Sequence, residues 1–395
     1  NDIKKLLRQK QLSSRKRSLM RITILSTAFP FRGGIAVFTE RLARAFHTAG
    51  DKVNISTFSL QYPSFLFPGK SQYSSSKKPK DLDILAEVNS INPFNWVKIG
   101  LKIKKQKPDI LILKYWIPFM APCLGSISRI VRRNKHTKVI VVIDNLIPHE
   151  RRFGDRFLNN YFVNSVDAFV AMSESVYNDL DKFDEGKKKV LGVHPLYDNF
   201  GEAKSKEKAI ESLELSKDYK YILFFGIIRK YKGLDLLLEA IADNRFLDSN
   251  LKLIVAGEFY EDDKYYHDII EKNKLKDVVI LATKFIPDDQ VVDYFCAADI
   301  IVQPYKNATQ SGVTQIAYHF EKPMLVTNVG GLAEIVPHNK VGYVTSQNPQ
   351  DIADAIFDFF QQNKEAQFIK GVKQEKKKYS WDIMVTNIKK IHREI

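Results

Sequence analysis

Short runs of β-branched and aliphatic residues alternate along this chain with stretches whose apolar positions recur three and four apart. The first pattern predicts buried parallel strands, the second amphipathic helices. Strand runs fall at 21–26, 52–58, 109–113, 138–143, 167–171 and 189–193 in the first half. In the second half they fall at 221–225, 251–256, 278–281, 299–302, 324–327 and 341–344. Helical patterns lie between them, including Ile35, Phe38, Leu42 and Phe46, and segments at 119–133, 234–242 and 290–298. Two successive strand–helix–strand series predict an α/β chain: two doubly wound parallel-sheet domains facing each other across a cleft.

Between the series, His194-Pro-Leu-Tyr-Asp-Asn-Phe-Gly201 has the Pro, Asn and Gly of a linker. The expected organisation is a basic extension over 1–19, a first domain over 20–198 and a second over 199–378. A final helix over 379–395 follows Lys376-Lys377-Lys378 and is expected to return to the first domain. Residues 1–19 lack an apolar core and precede a strand that starts directly after Met20, so they read as an appended tail or a membrane-touching helix. Residues 61–80 form a Pro/Ser/Gly/Lys-rich loop carrying Phe65, Leu66 and Phe67, which suits an interfacial lid or disorder.

At 395 residues, 44% apolar and 27% charged, the composition fits a globular protein with two domains of ordinary size. Charge distribution changes the picture more. Residues 1–200 carry 34 Lys and Arg against 17 Asp and Glu, a balance of +17, whereas residues 201–395 carry 27 against 29, a balance of −2. The basic partner therefore belongs to the first half. Zinc-ligand spacings, RNP-type aromatics and basic heptads are lacking, so no nucleic acid is expected and an anionic membrane surface is the favoured peripheral contact. No apolar run approaches the ~20 residues of a membrane span. Cys123 and Cys296 stand far apart without metal-ligand spacing, which suits a reduced, cytoplasmic setting, here at the inner face of a membrane.

Candidate chemistry gathers at strand ends. In the stretch from Pro304 to Phe320, Thr309 and Ser311 are good helix N-caps and Gly312 lets a ligand approach the backbone. A helix start at a sheet's carboxyl edge offers free N–H groups to an anion, above all phosphate, although an ordinary βα turn uses the same residues. Gly226-Ile-Ile-Arg-Lys-Tyr-Lys-Gly233 sets Arg229 and Lys232 at another strand end, as a diphosphate clamp or as a solvated basic turn. Gly33-Gly34 is not GxGxxG, so no dinucleotide site is implied. Gly257 forms a further rim turn. Asp144 and His149 follow a first-domain strand and either face the cleft or serve structure. Glu334, after Gly330-Gly331, bonds a ligand hydroxyl or caps its helix. Asp262-Asp263 and Asp288-Asp289 read as solvated helix starts rather than metal ligands.

Several of these motifs together resemble family 4 glycosyltransferases, in order and spacing, over nearly the whole chain after Met20. They are Gly33-Gly34, residues 145–150, His194 to Phe200, Arg229 with Tyr231-Lys232-Gly233, and Val329-Gly330-Gly331 with Glu334. The resemblance implies a GT-B fold of two Rossmann-like domains. The second would hold a nucleotide-sugar donor, and the first a glycan or lipid-linked acceptor. It implies hexose transfer with retention of configuration, without cofactor or essential metal. Arg229, Lys232, His149 and Asp144 would be catalytic. Gly33, Gly34, Gly257, Gln310, Ser311, Gly312, Val313, Thr314, Gln315 and Glu334 would bind the donor.

The chain departs from this family in two places. The strand that usually ends in a histidine ends here in Asp144, with His149 as its replacement. The paired glutamates eight apart are missing, because no carboxylate occurs between Lys306 and Phe320; Thr309, Gln310 and Gln315 stand there instead. These departures put sugar identity in doubt more than phosphate binding. They leave open a GT-B sugar-nucleotide epimerase and a catalytically silent nucleotide-sugar-binding protein.

Overall fold

A computed structural model describes residues 19–63, 72–74, 77–147, 153–192, 194–247, 249–308 and 311–395. The first sheet contains β1 (Arg21–Leu25), β2 (Lys52–Leu60), β3 (Ile84–Asn89), β4 (Ile110–Tyr115), β5 (Lys138–Ile143), β6 (Ala168–Ala171) and β7 (Lys188–Leu191). Its order is β3-β2-β1-β4-β5-β6-β7, with every pair parallel. The second sheet contains β8 (Lys220–Phe225), β9 (Leu251–Ala256), β10 (Val279–Ala282), β11 (Ile300–Gln303), β12 (Met324–Thr327) and β13 (Gly342–Thr345). Its order is β10-β9-β8-β11-β12-β13, again all parallel. Strand order reverses between β1 and β4 and between β8 and β11. Segments leaving those four strands splay apart, and a crevice opens at the carboxyl edge.

Helices cover both faces of each sheet, which is why the strands are near-continuous apolar runs. In the first half these are α1 (Gly34–Thr48), α2 (Pro93–Gln106), α3 (Ala121–Arg132), α4 (Asp155–Val163) and α5 (Glu174–Leu180). The second half contributes α6 (Lys206–Ser212), α7 (Leu234–Ile241), α8 (Asn244–Leu247), α9 (Lys264–Lys272) and α10 (Val291–Ala297). There follow α11 (Gly312–His319), α12 (Leu332–Ile335), α13 (Pro349–Gln361), α14 (Glu365–Glu375) and α15 (Trp381–Arg393). Helices α2 to α5 bury Ile103, Ile127, Phe162 and Leu180 on one face of the first sheet. Its other face carries α1 and α15, and that core continues through Tyr197 and Trp381 to the face of the second sheet bearing α10 and α11. One apolar cluster therefore joins the two halves.

The chain crosses between the halves twice, and the crossings are bonded together. Leu196 N–H donates to the Tyr379 carbonyl at 2.9 Å, and Trp381 Nε1 donates to the Leu196 carbonyl at 2.8 Å. Trp381 then packs on Phe38 of α1, ring centroids 5.3 Å apart, under the Arg41 guanidinium. Further along α15, Lys389 pairs with Asp51 at 2.5 Å. Helix α15 thus rests on the first sheet although it follows the second in sequence.

The sequence pattern missed β3 and α2, and so gave the first sheet six strands instead of seven. Edge strand β3 buries fully only Ile84 and Val88, so it lacks the run that marks a central strand. Helix α2 is apolar on its outer side as well as its inner, which blurs its period. Among the described residues no helix is long and apolar enough to cross a membrane.

Trp381→Ala removes the aromatic contact to Phe38 of α1 and the hydrogen bond to Leu196 of the first crossing. The expected loss is about 3–5 kcal/mol of unfolding free energy, read from urea denaturation followed by far-ultraviolet circular dichroism.

Candidate functional site

Helix α11 starts at the small-residue turn the sequence marks. Ser311 is extended (φ −137°, ψ 126°), and its hydroxyl accepts from the Val313 N–H at 3.2 Å. Thr314 Oγ1 turns back to donate to the Ser311 carbonyl at 2.5 Å. Tyr305, buried just after β11, holds its hydroxyl 3.2 Å from Ser311 Oγ and accepts from Lys232 Nζ at 2.9 Å. Lys232 is thereby drawn to the first turn of α11. Arg229 leans on Tyr260, its guanidinium carbon 5.2 Å from the ring centroid. Among the described residues neither cation forms an ion pair with a carboxylate within 4.0 Å. A close backbone approach supports this edge. Gly257 has φ 142°, and a Cβ there would meet the Gly226 carbonyl oxygen at 2.0 Å. The turns after β8 and β9 touch, and only glycine permits it.

Across the cleft, α1 begins at Gly34 after Gly33 (φ 105°), without a side-chain cap. Its first-turn N–H groups have no intrahelical acceptor. Tyr197, from the first crossing, stands between the two helix starts. Its hydroxyl lies 3.4 Å from the Gly34 carbonyl, while a Cβ on Gly312 would meet its ring at 2.5 Å. The amino ends of α1 and α11 therefore face each other across one phenol. Each end carries the equivalent of roughly half a positive charge. With Lys232 beside α11 and the Arg229 charge felt at Lys232, the arrangement favours a multiply charged anion.

Beneath Tyr197 lies a buried polar cluster. The His194 Nδ1–H donates to the Pro195 carbonyl at 2.9 Å, which leaves Nε2 as an acceptor 3.4 Å from the Tyr197 hydroxyl. Lys114, buried near the end of β4, donates to Asp144 at 2.5 Å and sits 3.7 Å from the centre of the Phe38 ring. Burial pushes His194 down to about 4, with the Lys114 charge acting the same way and Asp144 opposing it. The imidazole is thus neutral near pH 7. Burial also lowers the Lys114 pKa, against the pull of Asp144.

Gly33, Gly34, Ser311 and Gly312 lie at the two helix starts and Arg229 and Lys232 in the turn after β8, while Gly257 is buried against Gly226 and Val313 and Thr314 are buried in the first turn of α11. His149 and Gln310 lie outside the described residues, as do Thr309 and half of the 61–80 loop, with Phe65, Leu66 and Phe67. Asp144 is engaged by Lys114 rather than standing as an unpaired acid. Glu334 on α12 is set against the first turn of α5; burial and the Glu174 charge raise its pKa, and the Glu174 N–H opposes them. Gln315 is wholly buried under the start of α11, its amide without a partner among the described residues, as is that of Gln303 at the end of β11. It lies beneath the cleft surface rather than on it. Among the described residues no cluster of three His, Cys, Asp or Glu is placed to hold a metal ion.

Sequence reasoning missed Lys114, His194 and Tyr197 as members of the site. A lone lysine inside Ile110-Leu-Ile-Leu-Lys-Tyr115 was the available signal, because a charge inside a buried strand needs a partner. His194 and Tyr197 stood in a segment read as a linker and as one of the motifs of the resemblance, without a site role for either residue.

Two Rossmann-like parallel sheets facing across a cleft, with an anion-favouring helix start on each side, define the GT-B class of glycosyltransferases. Two family models match in tandem, Glycosyltransferase Family 4 over residues 32–195 and Glycosyl transferases group 1 over residues 205–375, one on each half, so the chain is a family 4-like glycosyltransferase. An uncharacterised glycosyltransferase of Methanocaldococcus jannaschii is 25% identical over 389 residues, covering 95% of this chain and 99% of that protein. Among solved structures, Anabaena HepE in complex with UDP superposes with a TM-score of 0.73 at 14% identity, covering 95% of this chain and 100% of that one. Sucrose-phosphate synthase of Thermosynechococcus elongatus gives a TM-score of 0.72 at 16% identity, covering 94% and 98%. Likeness to these two structures shows a shared fold.

The depressed His194 pKa has a definite sign. Between about pH 4 and pH 6.5 the unfolded chain binds a proton that the folded chain refuses, so stability falls as pH drops through that window. The full effect is on the order of 3 kcal/mol. Urea unfolding at pH 7 and pH 4.5 should show a clearly smaller difference for His194→Gln than for the parent chain.

Proposed function

We propose that this chain is a retaining glycosyltransferase that moves a hexose from a nucleoside-diphosphate sugar to a hydroxyl of a glycan or lipid-linked precursor. The observation that carries the reading is Lys232, held at the start of α11 through Tyr305, with Arg229 near enough for its charge to act on Lys232 and neither paired with a described carboxylate, opposite the uncapped start of α1. A diphosphate fits such a site, and it gains charge as the glycosidic bond breaks. Lys232 supplies a point charge, while Arg229 can grip two oxygens. Preorganised donors of this kind act mainly on the leaving group, so the barrier falls through electrostatics and positioning. Attack takes place on the leaving-group face, with the departing phosphate accepting the acceptor's proton. No protein nucleophile is required.

HepE of Anabaena has also been solved with UDP-glucose, which makes UDP-hexoses the first donors to test. Calorimetric titration against UDP-, GDP- and dTDP-sugars selects the base and sugar. Arg229→Ala and Lys232→Ala should each lower kcat by about 10²–10³-fold, measured by release of nucleoside diphosphate in the presence of acceptor. Full activity in the double variant would reject the assignment.

The two cations take the charge-neutralising part, and we propose transfer without an essential metal or cofactor. Turnover in excess EDTA should match turnover in added Mg²⁺; strict Mg²⁺ dependence would overturn this.

A further inference from the structure

Helix α2 is apolar on two sides. Inward, Ile99 and Ile103 are buried, Trp96 Nε1 donates to the Asn89 carbonyl at 2.8 Å, and Gly100 lets α3 approach so closely that a Cβ would meet Ile130 at 2.9 Å. Outward, Phe94, Val97 and Leu101 fall on one stripe and are 88%, 49% and 52% exposed. A helix needs only its inner stripe to hold the fold, and an exposed Phe, Val and Leu in register have no structural task.

Charge identifies what covers this stripe. Helix α2 contains Lys98, Lys102, Lys104 and Lys105 and no Asp or Glu. At 100° per residue, Lys98 and Lys105 share the outer stripe with Phe94 and Leu101, while Lys102 and Lys104 flank it. Lys102 is tied to Glu87 at 2.5 Å, whereas Lys98, Lys104 and Lys105 form no ion pair among the described residues. A second copy seated on this face by two-fold symmetry would oppose lysine to lysine. An anionic lipid surface instead takes the apolar side chains below its headgroups and satisfies the ammonium groups at headgroup level.

The neighbouring layer continues the pattern. Strands run parallel, so the helices between them begin at the cleft-side edge of the sheet. Phe94 lies in the first turn of α2; Phe153 and Phe157, both exposed, flank Arg156 at the first turn of α4. Exposed aromatics beside cations thus border the mouth of the first half.

We propose that the outer face of α2, led by Phe94, Val97 and Leu101 with Lys98 and Lys105, docks this protein on an anionic lipid bilayer. Docking there sets the cleft-side edge of the first half against the headgroups. This deepens the acceptor part of the transferase reading, since it implies an acceptor anchored in that bilayer. The test of docking does not depend on transfer.

Flotation of the full chain with phosphatidylcholine vesicles, with and without phosphatidylglycerol, tests the proposal. Binding is expected only where phosphatidylglycerol is present. Phe94→Ser combined with Leu101→Ser should weaken that partition by about 10-fold or more, and Lys98→Glu with Lys105→Glu should abolish the preference for the anionic vesicles. Far-ultraviolet circular dichroism and urea unfolding, unchanged in both variants, verify that they are folded. Equal binding of parent and Phe94→Ser/Leu101→Ser chains would overturn the proposal, as would no binding of the parent. A parent dimer in sedimentation velocity that this variant dissolves would overturn it in favour of a second copy. Loss of transfer with docking intact would count against the transferase reading alone.

Discussion

Two helix amino ends cannot be brought together without electrostatic cost, and the cleft does so at α1 and α11. Parallel strands impose it: every βα connection leaves at the same edge, so facing two such sheets faces their helix starts as well. Lys232 is added to the same place through Tyr305, which sharpens the repulsion. The cleft is therefore rich in positive potential, an imbalance of the architecture that an anion would relieve. Glycine at 34, 257 and 312 follows from this requirement, since bulk at any of them would separate the elements that must converge.

Tyr197 keeps the two ends apart without charge of its own. Burial raises its pKa, so it remains a neutral phenol, and the imidazole below it is held neutral too. The charges in this floor, Lys114 and Asp144, cancel within one ion pair. The region under the phenol thus adds little net field to the two helix ends. An Asp144→Ala chain would leave Lys114 buried and unpartnered, which is a structural injury as much as a chemical one.

The two sheets were legible because central parallel strands are unbroken apolar runs. Edge strand β3 and helix α2 were not, since one is half solvated and the other is apolar where solvent meets it. In the site, glycine turns and the Arg229–Lys232 motif could be read locally, as strand ends carrying unusual residues. Lys114 and Tyr197 could not, because their partners are far off in sequence, and His194 enters the site only through Tyr197. Lys114 meets Asp144 across 30 residues and Tyr197 meets Gly34 across 163. Gln315 shows the converse: its position along the chain suggested a ligand contact, and only packing shows that its amide points into the interior.

The paired crossings have a mechanical consequence. A single linker would let the halves twist, tilt and slide, but Leu196 and the Tyr379–Trp381 segment are bonded side by side, like two leaves on one hinge pin. Such a joint suppresses torsion and leaves bending about a single line as the soft mode. Tyr197 sits one residue from Leu196, close to that line, so the helix ends it separates would move by small arcs while the outer rims of the sheets sweep wide. Capture of a sugar nucleotide would then be geared: large travel where the ligand enters, fine adjustment where its phosphates rest.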